Sequence, residues 1–137
     1  MIVRDVHIPA YGWYARFYFK IRAYHIGDVV YSLEDIDCPE HILRQAVDHM
    51  MRDTLNEGFT YSNRSLRRSV VLVGRTSSGK EFVNSFAHEL RHLTDDIASE
   101  EGMPTSGEEV AYLAGDIAEA LGDVVCKMSC DKCRHNT

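Results

Sequence analysis

SVVLVGRTSSGKEFVNSFAHELRHLTDDIASE, residues 69–100, carries two different periodicities in succession, and they decide the fold. Val70-Val71-Leu72-Val73, closed by Gly74, is the short branched run of a strand. Ser78 and Glu81 then have the Ser-x-x-Glu spacing of a capping box. Phe82, Val83, Phe86, Ala87, Leu90, Leu93 and Ile97 follow at helical spacing. Upstream, Ile2 to Ile8, Trp13 to Ile21 and Tyr24 to Tyr31 are aromatic and branched runs punctuated by Gly12 and Gly27, which predict two or three strands of an antiparallel meander. Pro39 opens a helix marked by Ile42, Leu43, Ala46, Val47, Met50, Met51 and Leu55 and stopped by Gly58. Phe59 to Tyr61 predicts another short strand. Downstream, a loop with Gly102 and Pro104 leads to a second capping box, Ser106 to Glu109. The helix it opens turns Val110, Leu113, Ala114, Ile117, Ala118, Leu121, Val124 and Val125 inward. The expectation is an α+β fold, a small, mainly antiparallel twisted sheet packed on the helix after Ser78, with one helix before it and one after. Residues 1–125 form this single domain and 126–137 a cysteine-rich tail.

Composition bounds the function. A chain of 137 residues, 45% of them hydrophobic, is one domain whose core needs no disulfide or metal to hold it. A net charge of −6 disfavours phosphate-backbone binding, so nucleic acid is not an expected partner. The start lacks the basic and apolar pattern of a signal peptide, and no run approaches the roughly 18 apolar residues of a membrane span. A cytoplasmic protein is expected, with its four cysteines as thiols or metal ligands.

His88-Glu89-Leu90-Arg91-His92 is the H-E-x-x-H pattern. Four residues advance a helix by about 400°, so both imidazoles point the same way one turn apart and can grip one ion. Glu89 lies one step round, where it can take a proton from a metal-bound water and return it to a leaving amine. The apolar stripe lies opposite the two histidines, which fits a helix backed by a sheet and facing a cleft, and equally a solvated helix face. A catalytic zinc takes a third protein ligand, for which Asp96, Glu100, Glu101, Glu108 and Glu109 are in range. Asp96, on the same straight helix, splays away. The next helix is the better source, and at its start the capping box would engage Glu109 and leave Glu108 free. The loop from Ser99 to Ser106 spans on the order of 25 Å when extended, enough to bring the third helix level with the histidines.

Phe86-Ala87-His88-Glu89-Leu90-Arg91-His92, followed by Glu108-Glu109-Val110-Ala111-Tyr112, resembles the zincin metallopeptidases and, within them, the gluzincin branch in its compact phage and mobile-element form. Glu108 with Ala111 and Tyr112 matches the Glu-x-x-Ala pattern of that branch. The resemblance covers about residues 69–116. It implies zinc on His88, His92 and Glu108, with Glu89 as general base and acid in hydrolysis of a peptide or protein substrate. It also implies an edge strand that pairs with an extended substrate, for which Ser69 to Val73 is the expected segment. Tyr112 is an expected hydrogen-bond donor to the developing oxyanion. The alternative is a non-catalytic, metal-stabilised interaction module that keeps the same side chains.

Two weaker signals remain. Gly74 to Lys80 has the setting of a phosphate-binding loop, but Glu81 stands where Ser or Thr would hold magnesium, and a polar turn with a helix cap is expected instead. Cys126, Cys130, Cys133 and His135 have ligand types at metal spacing, a weaker second zinc site that Cys38 would complete if it approached the tail. His7, His25, His41 and His49 show no ligand spacing and are expected to be ordinary surface or interface histidines.

Overall fold

The computed structural model describes residues 1–135. Four strands form one sheet in the order β1-β2-β4-β3, where β1 is Ile2–Ile8, β2 Trp13–Ile21, β3 Gly58–Asn63 and β4 Arg68–Gly74. β1 pairs antiparallel with β2, and β3 antiparallel with β4. The central pair is parallel, Tyr14 to Phe19 lying against Arg68 to Val73. The α+β class therefore stands, with a mixed sheet in place of a plain meander. A parallel pair needs a crossover, and the chain makes one through α1 (Ile26–Asp35), α2 (Glu40–Arg52) and β3.

That crossover corrects the reading of residues 24–31 as a strand: Ala23–His25 is a single 3-10 turn and α1 follows. Ile26, Val29, Leu33 and Ile36 are three or four residues apart, a helical stripe hidden among branched side chains, and Val29 and Leu33 bury it. Two helices, not one, thus precede α3 (Gly79–Glu101). Beyond it, the single expected helix is two, α4 (Glu108–Ala120) and α5 (Gly122–Ser129), broken at Leu121. The expected boundary at 125/126 falls inside α5, so the first tail cysteine, Cys126, is helical.

Alternation along the strands divides the core in two. Trp13, Phe17 and Phe19 of β2 and Val71 and Val73 of β4 face α3, α4 and α5, meeting Phe82, Phe86, Leu93, Ile97, Leu113 and Ile117. Tyr18, Val70 and Leu72 face the other way, onto Val29, Leu33, Ala46 and Met50 of α1 and α2. Both faces of β4 are covered, and its continuous Val-Val-Leu-Val run is the pattern of such a strand. Ser69 to Val73 is therefore central and cannot serve as the edge. β3 holds that position, because β4 is its one partner in the sheet.

Among the described residues no helix is long and apolar enough to cross a membrane.

The packing of α3 is carried by its aromatic pair, Phe82 stacked on Phe86 at 5.9 Å between ring centroids and both against Phe19. Phe82→Ala is expected to cost about 3–5 kcal/mol of unfolding free energy. Val83→Ala, at a side chain 50% exposed on the same helix, is expected to cost under about 0.5 kcal/mol. Urea unfolding followed by circular dichroism measures both.

Candidate functional site

With Phe82, Phe86, Leu93 and Ile97 pinned to the sheet, the rotation of α3 about its axis is set. Glu89, about 100° round from His88, is then buried on the flank that faces β3, while His88 and His92 stand on the exposed side. Their Nε2 atoms approach to 3.1 Å. One can donate to the other if their tautomers differ. If both rings carry the proton on Nδ1, both lone pairs face a common point. Two ligands 2.0–2.1 Å from a tetrahedral zinc are about 3.3 Å apart, so this half of a zinc donor set fits.

Glu89 lies beneath the pair, 4% exposed. Thr60 Oγ1 on β3 donates to its Oε1 at 2.8 Å, and His88 Nε2 stands 4.0 Å from its Oε2. The carboxylate is thereby held by one hydrogen bond from the edge strand, and its second oxygen is turned toward the histidine. Space for it comes from Gly58: a Cβ there would lie 2.6 Å from Glu89 Cγ and Oε2 and 2.7 Å from Leu72 O. Strand and helix can approach this closely only because residue 58 has no side chain.

A cleft of ≈ 330 Å³ opens beside Glu89, and α2 contributes His49 and Arg52 to its wall opposite His88 and Asn84. His49, expected to be an ordinary surface histidine, is thus a member of the site. Its Nδ1 is 3.5 Å from Glu57 Oε2, and its ring packs on Phe59. Burial lowers its pKa, Glu57 and Glu89 act against this and the charge of Arg52 with it, which favours the neutral imidazole. No local spacing marked His49, because α2 reaches the cleft only through the crossover. Its place on α2 one residue before the buried Met50 was the available signal.

The third-ligand positions do not converge. Glu108 and Glu109 are exposed in the first turn of α4. The cap of α4 is Gly107, with no side-chain hydrogen bond, so the expected Ser106 to Glu109 box does not form and does not set the two glutamates apart. The start of α4 shares a groove with Ala87, Leu90, Arg91 and Thr94, on the flank of α3 away from β3. Asp96 is half-buried toward β3. Burial raises its pKa, while a Ser62 hydrogen bond and the charge of His92 act against the rise. Glu100 and Glu101 pair with Arg64 and Arg67. Tyr112 is 70% exposed and does not line the cleft. Among the described residues no group of three or more His, Cys, Asp or Glu side chains is placed to hold a metal ion.

The same holds for Cys126, Cys130, Cys133 and His135, which the structure does not gather into a metal site. Cys38 cannot complete them, because it packs against the core on the opposite face of the sheet, where burial pushes its thiol up to about 11. At the Gly74 to Lys80 turn, Ser78 Oγ accepts from Glu81 N at 3.1 Å, as its capping spacing predicts. Gly79 N donates to the carboxylate of Asp131 at 2.7 Å, so the place of a phosphate at this helix start is filled by the chain itself.

The chain matches no family model, no curated protein and no solved structure.

Gly58→Ala is expected to force β3 and Glu89 apart, lowering stability by about 1–3 kcal/mol. Thermal unfolding measures the loss. Gly12→Ala, where a Cβ meets nothing within 4 Å but φ is +62°, separates this clash from the backbone cost alone, which is about 1 kcal/mol.

Proposed function

We propose that this chain is a zinc-dependent, gluzincin-like metallopeptidase acting on an extended peptide or protein segment. One observation carries the reading: two imidazole Nε2 atoms 3.1 Å apart stand over a buried glutamate fastened to β3, an edge strand of the sheet. His88 and His92 would hold the ion, and Glu108, which the structure does not bring to them, would complete the set as third ligand after a shift of the start of α4. Zinc bound there would supply a Lewis acid to polarise the scissile carbonyl and to lower the pKa of a coordinated water.

The chain's own residues do the rest. The outer edge of β3 is left without a strand partner in the sheet and would align an extended substrate by main-chain pairing. Glu89 would accept a proton on Oε2, the oxygen nearer His88, while Thr60 holds Oε1 and keeps the carboxyl from rotating. The same oxygen would pass the proton to the departing amine nitrogen. Neutral His49, across the cleft, would offer a ring nitrogen to the substrate.

Protein purified without chelator is expected to bind one equivalent of zinc, lost in His88→Ala and in His92→Ala. Glu89→Gln is expected to keep the zinc and to lose about 10²–10⁴-fold in hydrolysis of an unstructured protein substrate. Failure to take up zinc overturns the reading. Zinc binding with no hydrolysis by the native chain, or hydrolysis unchanged in Glu89→Gln, identifies the metal-stabilised interaction module instead.

A further inference from the structure

Cys130 caps the C-terminal end of α5, and Cys133 begins the 3-10 turn Cys133–His135. The Arg134 amide donates to the Cys130 carbonyl at 3.0 Å, so the backbone turns back on itself between the two cysteines. The neighbouring Cys133 thiol and the backbone N–H groups of Cys133 and Lys132 hold the Cys130 thiol below its ordinary value, and the same pairing raises Cys133. Cys130 is partly exposed and Cys133 exposed, so a soluble reagent reaches both.

The segment that carries them is docked, not loose. Asp131, inside the Cys-x-x-Cys loop, accepts from Gly79 N at the start of α3 at 2.7 Å. Arg134, next after Cys133, is 6% exposed and donates to the carbonyl and to Oγ1 of Thr76, the latter at 3.1 Å. Gly79 permits this, since a Cβ on it would lie 2.1 Å from Ser129 O. The turn that carries the pair is therefore anchored, by Asp131 within it and Arg134 just after it, to the start of the H-E-x-x-H helix and the residues that lead into it. No third ligand joins the two cysteines among the described residues, which favours a dithiol over a metal site.

We infer that Cys130 and Cys133 are a redox-active dithiol, which a glutathione-class disulfide oxidises to an intramolecular bond across the turn that fastens α5 to α3. The Cys130 thiolate attacks one sulfur of the oxidant, forming a mixed disulfide and expelling one glutathione thiolate. The Cys133 thiolate then attacks the Cys130 sulfur, forming the Cys130–Cys133 bond and expelling the second glutathione. Two electrons pass from the protein to the oxidant, and the two thiol protons are taken up by the released thiolates. Because the docked turn already folds the backbone back between residues 130 and 133 before the bond forms, part of the loop-closure entropy is already met.

The test equilibrates the full chain in glutathione buffers of increasing oxidised fraction at pH 7, with acid quenching, alkylation and peptide mass mapping. The expected result is joint loss of alkylation at Cys130 and Cys133, with the linked peptide lighter by two hydrogens, while Cys38 and Cys126 still alkylate. Cys133→Ser is expected to stop at the mixed disulfide on Cys130. The equilibrium constant for the bond is expected to be roughly tenfold or more larger in the folded chain than in urea, a difference of about 30 mV. Persistence of both thiols at the highest oxidised fraction overturns the inference, as does linkage through Cys126. An equal constant in urea also overturns it, since the docked turn would then contribute nothing.

Discussion

The rotation of α3 about its own axis is the constraint on which the site depends. Phe82, Phe86, Leu93 and Ile97 bury one stripe against Phe17, Phe19, Val71 and Val73, and burying a side chain of this size stabilises by roughly 1.5–3 kcal/mol. Turning the helix by even a quarter turn would expose that stripe. Every other direction on the helix follows: Glu89 faces β3, the His pair faces outward, and Ala87, Leu90 and Arg91 border α4. The hydrophobic stripe thus aims the polar residues without touching most of them.

The axial position of α3 is held at its beginning by groups distant in sequence. Ser78 caps the helix from within its own segment, but Asp131 and Arg134 come from the far end of the chain and bind Gly79 N and Thr76. A short α5 laid across the start of α3 is possible because Gly79 lets Ser129 O approach. The end of the chain therefore supports the helix that carries His88, Glu89 and His92. This use of the helix N-terminus also explains why a turn with the outline of a phosphate loop has another occupant.

Glu89 shows how far local pattern reaches. Its spacing from His88 and His92 is legible because a helix repeats every 3.6 residues, and the His pair meets as that repeat requires. Its burial, its bond to Thr60 and the gap left by Gly58 depend on β3, which is paired to β4 and placed by a hairpin. His49 depends on a helix carried over by a parallel crossover. None of these three has a spacing that points to the histidines, because each is brought there by the sheet. The Ser106 to Glu109 box is the opposite case: the local pattern is present, yet α4 begins at Gly107 and the box does not form, because the pattern permits a cap without requiring it.

By itself the sequence determined the α+β class, β1 and β2 in full and the centres of β3 and β4, the amphipathic α2 and α3, and the shared direction of His88 and His92, since each follows from side-chain periodicity over neighbouring residues. Strand order, the parallel β2–β4 pair, the edge position of β3 and the split between α4 and α5 were decided by tertiary structure. The reason is physical: a strand's two faces can be read from its own residues, but its partners depend on which surfaces remain to be covered once the helices pack. The run Val70 to Val73 was expected at the edge; its burial on both faces and its place between β2 and β3 are visible only in the assembled sheet.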